Sequence, residues 1–128
     1  MKQKALQCIA FGITPIICIG ENLKEYLDGI TEEVLIKQLQ NCLPDSSNFW
    51  IAYEPLWAIG SGKTPNNDEI TKIHNMIKLR FPEIVLLYGG SVNAKNAKEI
   101  LLIESVDGVL VGGASLDIAS ISTIYDCT

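Results

Sequence analysis

Histidine is scarce in this sequence, one in 128 residues, and its four cysteines form no Cys-x-x-Cys pair. The chain therefore lacks the ligand spacing of a structural zinc site, and no metal is expected. Basic residues are in deficit too: ten Lys and Arg against fifteen Asp and Glu give a formal net charge of −5. With no basic patch, nucleic acid and anionic membrane surfaces are not expected partners. An anionic ligand would have to be held by local donors. No apolar run approaches the roughly 20 residues of a membrane span, and no secretory signal opens the chain. Linkers, repeats and low-complexity segments are missing as well. Cys8, Cys18, Cys42 and Cys127 stand among apolar neighbours, which suggests buried, reduced thiols and a cytoplasmic location.

What is present is a regular alternation of strand and helix patterns. Lys2 to Phe11 reads as a helix, with Gly12 past its end and Thr14-Pro15 opening a strand. Ile16-Ile17-Cys18-Ile19 is apolar throughout, as parallel strands covered on both faces are. Asp28-Gly29 turns the chain into a helix for which Thr31 is the expected cap. Pro44 to Asn48 is a turn cluster leading to a second strand. Asn66 and Glu69 have the spacing of a capping box, ahead of a helix whose stripe is Ile70, Ile73 and Ile77. His74 lies on or beside that stripe, as a packing or surface residue. Ile84 to Tyr88 and Val109 to Val111 read as the third and fourth strands; Asn93 is the expected cap of the helix between them, and Leu116 to Tyr125 is the last helix. This order demands a parallel sheet with right-handed crossovers, an α/β fold in one domain over residues 1–128.

The second strand carries the chemistry. Trp50-Ile51-Ala52-Tyr53 is followed by one carboxylate, Glu54, and then by Pro55-Leu56-Trp57-Ala58-Ile59-Gly60-Ser61-Gly62-Lys63. Pro55 stops the strand because it has no N–H for the ladder. The two glycines let the apolar stretch beyond it close over a site. A lone Glu at a strand end under such a lid is the layout of a sheltered general base. Gly89-Gly90 and Gly112-Gly113 follow the next two strands. Glycine pairs there make either tight βα turns or cradles whose backbone N–H groups approach an anion.

Ala52 to Lys63 closely resembles the catalytic strand and lid of the triosephosphate isomerase family. Tyr88-Gly89-Gly90-Ser91-Val92 and Val111-Gly112-Gly113-Ala114-Ser115-Leu116 resemble its phosphate loops, in order, and Cys18-Ile19-Gly20-Glu21 the strand end before the catalytic one. The resemblance implies the last four βα units of a (β/α)8 barrel, since a complete barrel needs roughly 250 residues. It implies a glycolytic and gluconeogenic isomerase without a cofactor, acting on triose phosphates. Glu54 would be the base, and the amides of Gly60, Ser91, Gly112 and Gly113 the phosphate donors. Glu21, Tyr88 and Ser91 would hold the lid, Glu21 by accepting from Trp57. Without the family, Glu21 reads as a solvated strand-end carboxylate.

Two departures accompany the match. The family latches its lid by bonding the hydroxyl equivalent to Tyr88 to a backbone N–H; here the aligned position is Pro65, which has none. The Lys, Asn and His that polarise the substrate belong to segments with no counterpart in these residues. Competing readings are another sugar-phosphate barrel, whose terminal glycine loops lack the Glu-Pro-Leu-Trp lid, and a catalytically inactive half-barrel with weak phosphate binding. A four-stranded half-barrel would also expose apolar edges at Ile16–Ile19 and Val109–Val111. Self-association, or pairing with the missing N-terminal half, is therefore expected.

Overall fold

A computed structural model describes residues 1–46, 48–59 and 63–128. In chain order the elements are α1 (Lys2–Ala10), β1 (Ile16–Ile19), α2 (Leu23–Leu27), α3 (Thr31–Cys42), β2 (Trp50–Tyr53), α4 (Asn67–Arg80), β3 (Val85–Tyr88), α5 (Ala97–Leu101), β4 (Gly108–Val109), a 3₁₀ turn (Gly113–Leu116) and α6 (Ile118–Tyr125). The strands form one parallel sheet in the order β1-β2-β3-β4. Register aligns Ile17 with Ile51 and Leu86, and Cys18 with Ala52, Leu87 and Gly108.

That register sorts the side chains onto two faces, because alternate residues of a strand point to opposite sides. Ile17, Ile19, Ile51, Tyr53, Leu86 and Tyr88 join helix residues Ala5, Leu35, Leu39, Ile70, Ile73, Ile77, Ala97 and Ile100 in one buried core. The alternate set, Ile16, Cys18, Trp50, Ala52 and Leu87, stays outside that core. Its bottom row remains open, with Ile16 39% and Trp50 41% exposed. The expectation of cover on both faces is corrected, since the helices pack against one face. The thiols are corrected likewise: all four cysteines are free but only half-buried, because Cys18 belongs to the open face and Cys8, Cys42 and Cys127 sit at helix margins or the terminus.

Local chemistry sets most of the element ends. Asn66 and Glu69 form the reciprocal capping box of α4. A second box, Asn22 with Glu25, starts α2, a short helix that the sequence reading passed over. Thr31 is the first residue of α3 rather than its cap; the capping position is Ile30, which offers no side-chain acceptor. Gly29 supplies the positive φ just before it. Asn93 does not cap α5 directly; its Oδ1 accepts from the N–H groups of Lys95 and Asn96, shaping the turn that precedes the helix. The fourth strand is only two residues long, although Leu110 N–H still donates to the Tyr88 carbonyl.

His74 lies inside the core, fully buried between Tyr53 and Tyr88, with Nδ1 3.1 Å from the Ser105 carbonyl. Burial pushes its pKa down to about 4, against the opposing pull of the Ser105 contact and Asp107. A buried neutral imidazole resists protonation that the unfolded chain accepts. Stability should therefore be complete above the ordinary histidine pKa of about 6.5 and fall between there and pH ~4, by at most about 3 kcal/mol. Urea unfolding at a series of pH values checks this: His74→Gln should flatten that segment of the curve, and an unchanged slope would remove His74 as its source.

Candidate active site

The site begins with the row of residues just beyond the strands. Glu54 N–H donates to the Ile19 carbonyl at 2.7 Å, and Gly89 N–H to the Tyr53 carbonyl at 2.8 Å. By the two-residue period, Gly20, Glu54 and Gly89 continue the face of Cys18, Ala52 and Leu87, so the Glu54 carboxylate points over the open side of the sheet. Cys18, one row below, donates its Sγ–H to Glu54 Oε1 at 3.3 Å. Burial, then the Glu54 carboxylate, pushes this thiol up to about 11, which keeps it a protonated donor at neutral pH.

Glycines make room for Glu54. A Cβ on Gly20 would lie 1.7 Å from the Glu54 carbonyl oxygen, and one on Gly89 would lie 2.6 Å from Glu54 Cγ. A Cβ on Gly90 would meet the Tyr88 hydroxyl at 2.2 Å. Close approach to Glu54 and Tyr88 thus accounts for Gly89 and Gly90 without a ligand. Gly112 and Gly113 differ: they are exposed, and a Cβ on either meets no heavy atom within 4 Å. The space above that turn is free for a ligand. Gln38 fixes the first strand end, accepting from Gly20 N–H and donating to the Gly20 carbonyl, both at 2.9 Å.

The first part of the lid is anchored through Glu21, which is fully buried rather than solvated. Its backbone carbonyl accepts from Leu56 N–H at 2.9 Å, and its Oε1 accepts from Trp57 Nε1–H at 2.8 Å and the Tyr53 hydroxyl at 3.2 Å. Burial raises the Glu21 carboxyl above the ordinary range, while these donors pull the other way. Tyr26 stacks on Trp57 with ring centroids 4.3 Å apart. Pro55 and Ala58 are buried, and Leu56 and Ile59 are about half-exposed at 55% and 48%. Gly60, Ser61 and Gly62 lie outside the described residues, so the Gly60 donor and the lid tip do as well. Lys63 resumes the chain, exposed.

Ser91 Oγ–H donates to the Ala58 carbonyl, and Asn96 holds the Ser91 carbonyl at 2.9 Å. The Tyr88 hydroxyl is buried with no partner among the described residues. Among the described residues it is thus Ser91, not Tyr88, whose hydroxyl bonds to the segment after Pro55. Sequence reasoning missed Cys18, Gln38, Tyr26 and Asn96. Gln38 was the most visible of these, a polar residue in the buried stripe of α3. The others act through partners distant in sequence.

A parallel sheet with helices on one face and its polar groups on strand-end loops is part of a parallel α/β barrel of the kind that builds active sites at that rim. The profile of the triosephosphate isomerase family matches residues 1–128. Among curated relatives, the triosephosphate isomerase of Wolbachia pipientis wMel is 45% identical over 91% of this chain and 48% of its own length. That of Mesomycoplasma hyopneumoniae strain 7448 is 46% identical over 91% and 50%. The crystal structure of triosephosphate isomerase from Bartonella henselae superposes with a TM-score of 0.88 at 36% identity, covering 98% of this chain and 55% of that one. The chain belongs to the triosephosphate isomerase family, and it spans about half the length of these relatives.

The glycines give a stability test that needs no activity. Gly20→Ala must displace the Glu54 backbone and should cost about 2 kcal/mol or more, as overpacking does. Gly113→Ala enters open space and should stay within about 0.5 kcal/mol. Urea midpoints compare them; equal effects would show that the Gly20 contact does not constrain the fold.

Proposed function

We propose that residues 1–128 act as one domain, the base-bearing C-terminal half of a triosephosphate isomerase barrel, working in glycolysis and gluconeogenesis in the cytoplasm. The observation that carries this is Glu54, set at a strand end over the open face with Gly89 cleared beneath it and Pro55-Leu56-Trp57 anchored beside it. In this reading Glu54 takes a proton from the carbon next to the carbonyl of dihydroxyacetone phosphate. The C–H electron pair enters the enediolate, the hydroxyl proton passes from the first oxygen to the second, and the same carboxyl returns its proton to the neighbouring carbon, giving glyceraldehyde 3-phosphate. No electron leaves the substrate and no cofactor is needed.

The substrate phosphate fits the open rim at Gly112 and Gly113, with Ser91 and Gly60 completing the backbone donors. Closing the lid excludes water from Glu54 and the intermediate; triosephosphate isomerase is itself the familiar example of such a lid. Electrophilic help must come from elsewhere. His74 is buried against Ser105 and cannot reach a substrate, and Lys63 sits at the lid hinge. Loss of one oxyanion donor typically costs ~10²–10³ in rate, so these residues alone should turn over little substrate. That favours the second reading for the isolated chain, an inactive half-barrel with weak phosphate binding.

The 128-residue chain assayed alone should show no turnover above Glu54→Gln. Mixed with the N-terminal half of a family member, it should regain activity that Glu54→Gln or Glu54→Asp reduces by at least about 10². Restored activity indifferent to both substitutions would remove Glu54 as the base.

Self-association belongs to the same proposal. The strands at both edges of the sheet, β1 and β4, have no outer neighbour among the described residues, and the face bearing Ile16 and Trp50 is open. Unpaired N–H and C=O rows beside apolar side chains recruit another strand. Light scattering at micromolar concentration should report a mass above 14.0 kDa, with two copies closing one barrel as the ordered form and the N-terminal half competing for the same edges. A stable monomer would overturn this part.

A further inference from the structure

Beyond its last paired residue, β1 runs on into Gly20, a buried glycine pressed against Glu54. The peptide joining Ile19 to Gly20 is bonded on both sides. Its carbonyl accepts from Glu54 N–H at 2.7 Å, and its N–H donates to Gln38 Oε1 at 2.9 Å. The carbonyl and N–H of a trans peptide point in opposite directions, so Gln38 reaches Gly20 from the side away from β2. That side is the outer edge of the sheet, where β1 has no neighbouring strand among the described residues. Gln38 Nε2–H also donates to the Gly20 carbonyl at 2.9 Å. One side-chain amide therefore satisfies both groups that a further strand would otherwise pair. Buried backbone groups without a partner are costly, and here α3 supplies the partner.

We propose that Gln38 is a positioning residue for Glu54, acting through the Ile19–Gly20 peptide; its part in turnover rests on the reading of Glu54 as the base. The anchoring of α3 does not need the Gln38 amide: Leu35 and Leu39 are buried in the core, whereas Gln38 is half-buried. What the amide sets is where Gly20 stands. A Cβ on Gly20 would lie 1.7 Å from the Glu54 carbonyl oxygen, so the two main chains are in contact and an outward drift of Gly20 lengthens the Glu54 N–H bond. The next residue, Glu21, accepts from Leu56 N–H and Trp57 Nε1–H. The same drift therefore moves the segment after Pro55. A misplacement of about 1 Å near a reacting group can cost ~10² in rate, so a clamp that never touches substrate can still govern turnover.

Gln38→Met keeps the length and flexibility of the side chain and removes both polar atoms. Amide hydrogen exchange of the full chain, read by NMR, should accelerate at Gly20 and Glu54 by about threefold to tenfold, the worth of a neutral hydrogen bond. Ile51 and Leu86, in the paired core, should keep wild-type protection. Mixed with the N-terminal half of a family member, the variant should show kcat reduced at least about tenfold. KM should stay within about twofold, because Gly112 and Gly113 receive the phosphate at a different strand end. Gln38→Glu keeps an acceptor for Gly20 N–H and loses the donor to its carbonyl. Both readouts should then fall between wild type and Gln38→Met, and this variant carries the test if Gln38→Met does not fold. Exchange that accelerates alike at Gly20, Ile51 and Leu86 would reveal only lost stability and overturn the proposal. So would an unchanged kcat in a mixture that turns over. If the wild-type mixture shows no turnover, the isomerase reading fails, while the exchange at Glu54 still decides whether Gln38 holds it.

Discussion

The in-register parallel pairing of β1, β2 and β3 is the constraint on which the site depends. It places Gly20, Glu54 and Gly89 side by side, one step beyond the last paired residues. With Glu54 in place, neither neighbour has room for a Cβ. The space that a Cβ would occupy at 20 is taken by the Glu54 backbone, and at 89 by its side chain. A slip of one residue would turn Glu54 toward the helices and put Tyr53 on the open face. Core packing of Ile17, Ile51 and Leu86 therefore fixes Glu54 as firmly as any contact Glu54 makes itself.

Glu21 does for Leu56 and Trp57 what the register does for Glu54. Its main chain holds Leu56 and its side chain holds Trp57 and Tyr53, so one buried residue ties the end of β1 to both sides of Glu54. Proline at 55 removes a ladder donor at that point, which frees the chain to leave the sheet. A carboxylate buried this deeply is stabilised by its donors on Oε1, while Oε2 has none among the described residues. Hydrogen bonds to a charged group are worth about 1.5–3 kcal/mol each, so the hinge is held tightly on one side and left unsatisfied on the other.

Much of this was legible in the chain, for reasons that can be named. The strand–helix alternation, the capping box at Asn66 and the buried Ile70-Ile73-Ile77 stripe are local patterns, and local patterns survive folding. The Glu-Pro-Leu-Trp stretch and the two glycine pairs were legible through resemblance, which also gave the Glu21–Trp57 bond. Other features depended on neighbours that sequence spacing does not reveal. Nothing local distinguishes Gly89, cleared for Glu54, from Gly112, which faces open space. Cys18 looked like a core thiol because its neighbours are apolar; its alternation with Ile17 and Ile19 puts it beside Glu54 instead. Thr31 has the chemistry of a cap, yet Gly29 turns the chain so that the helix starts one residue before Thr31 could serve.

The two faces of the sheet divide stability from chemistry. Residues facing the helices are buried and tightly packed, and a change there acts on folding. On the other face the upper rows hold Cys18, Ala52, Gly20 and Gly89, small or polar side chains that leave volume around Glu54, although Leu87, in register with Ala52, is large and apolar. Lower on the same face stand Ile16 and Trp50, large, apolar and open to solvent. Side chains of that kind have no chemical part at the rim; their character is that of a barrel interior awaiting its opposite wall. Chemistry at the top of the face and cohesion at the bottom thus place opposite demands on the same strands. In β1 and β2 two positions on this face suffice: Ile16 and Trp50 are the bulky apolar pair, and Cys18 and Ala52 leave the space beneath Glu54.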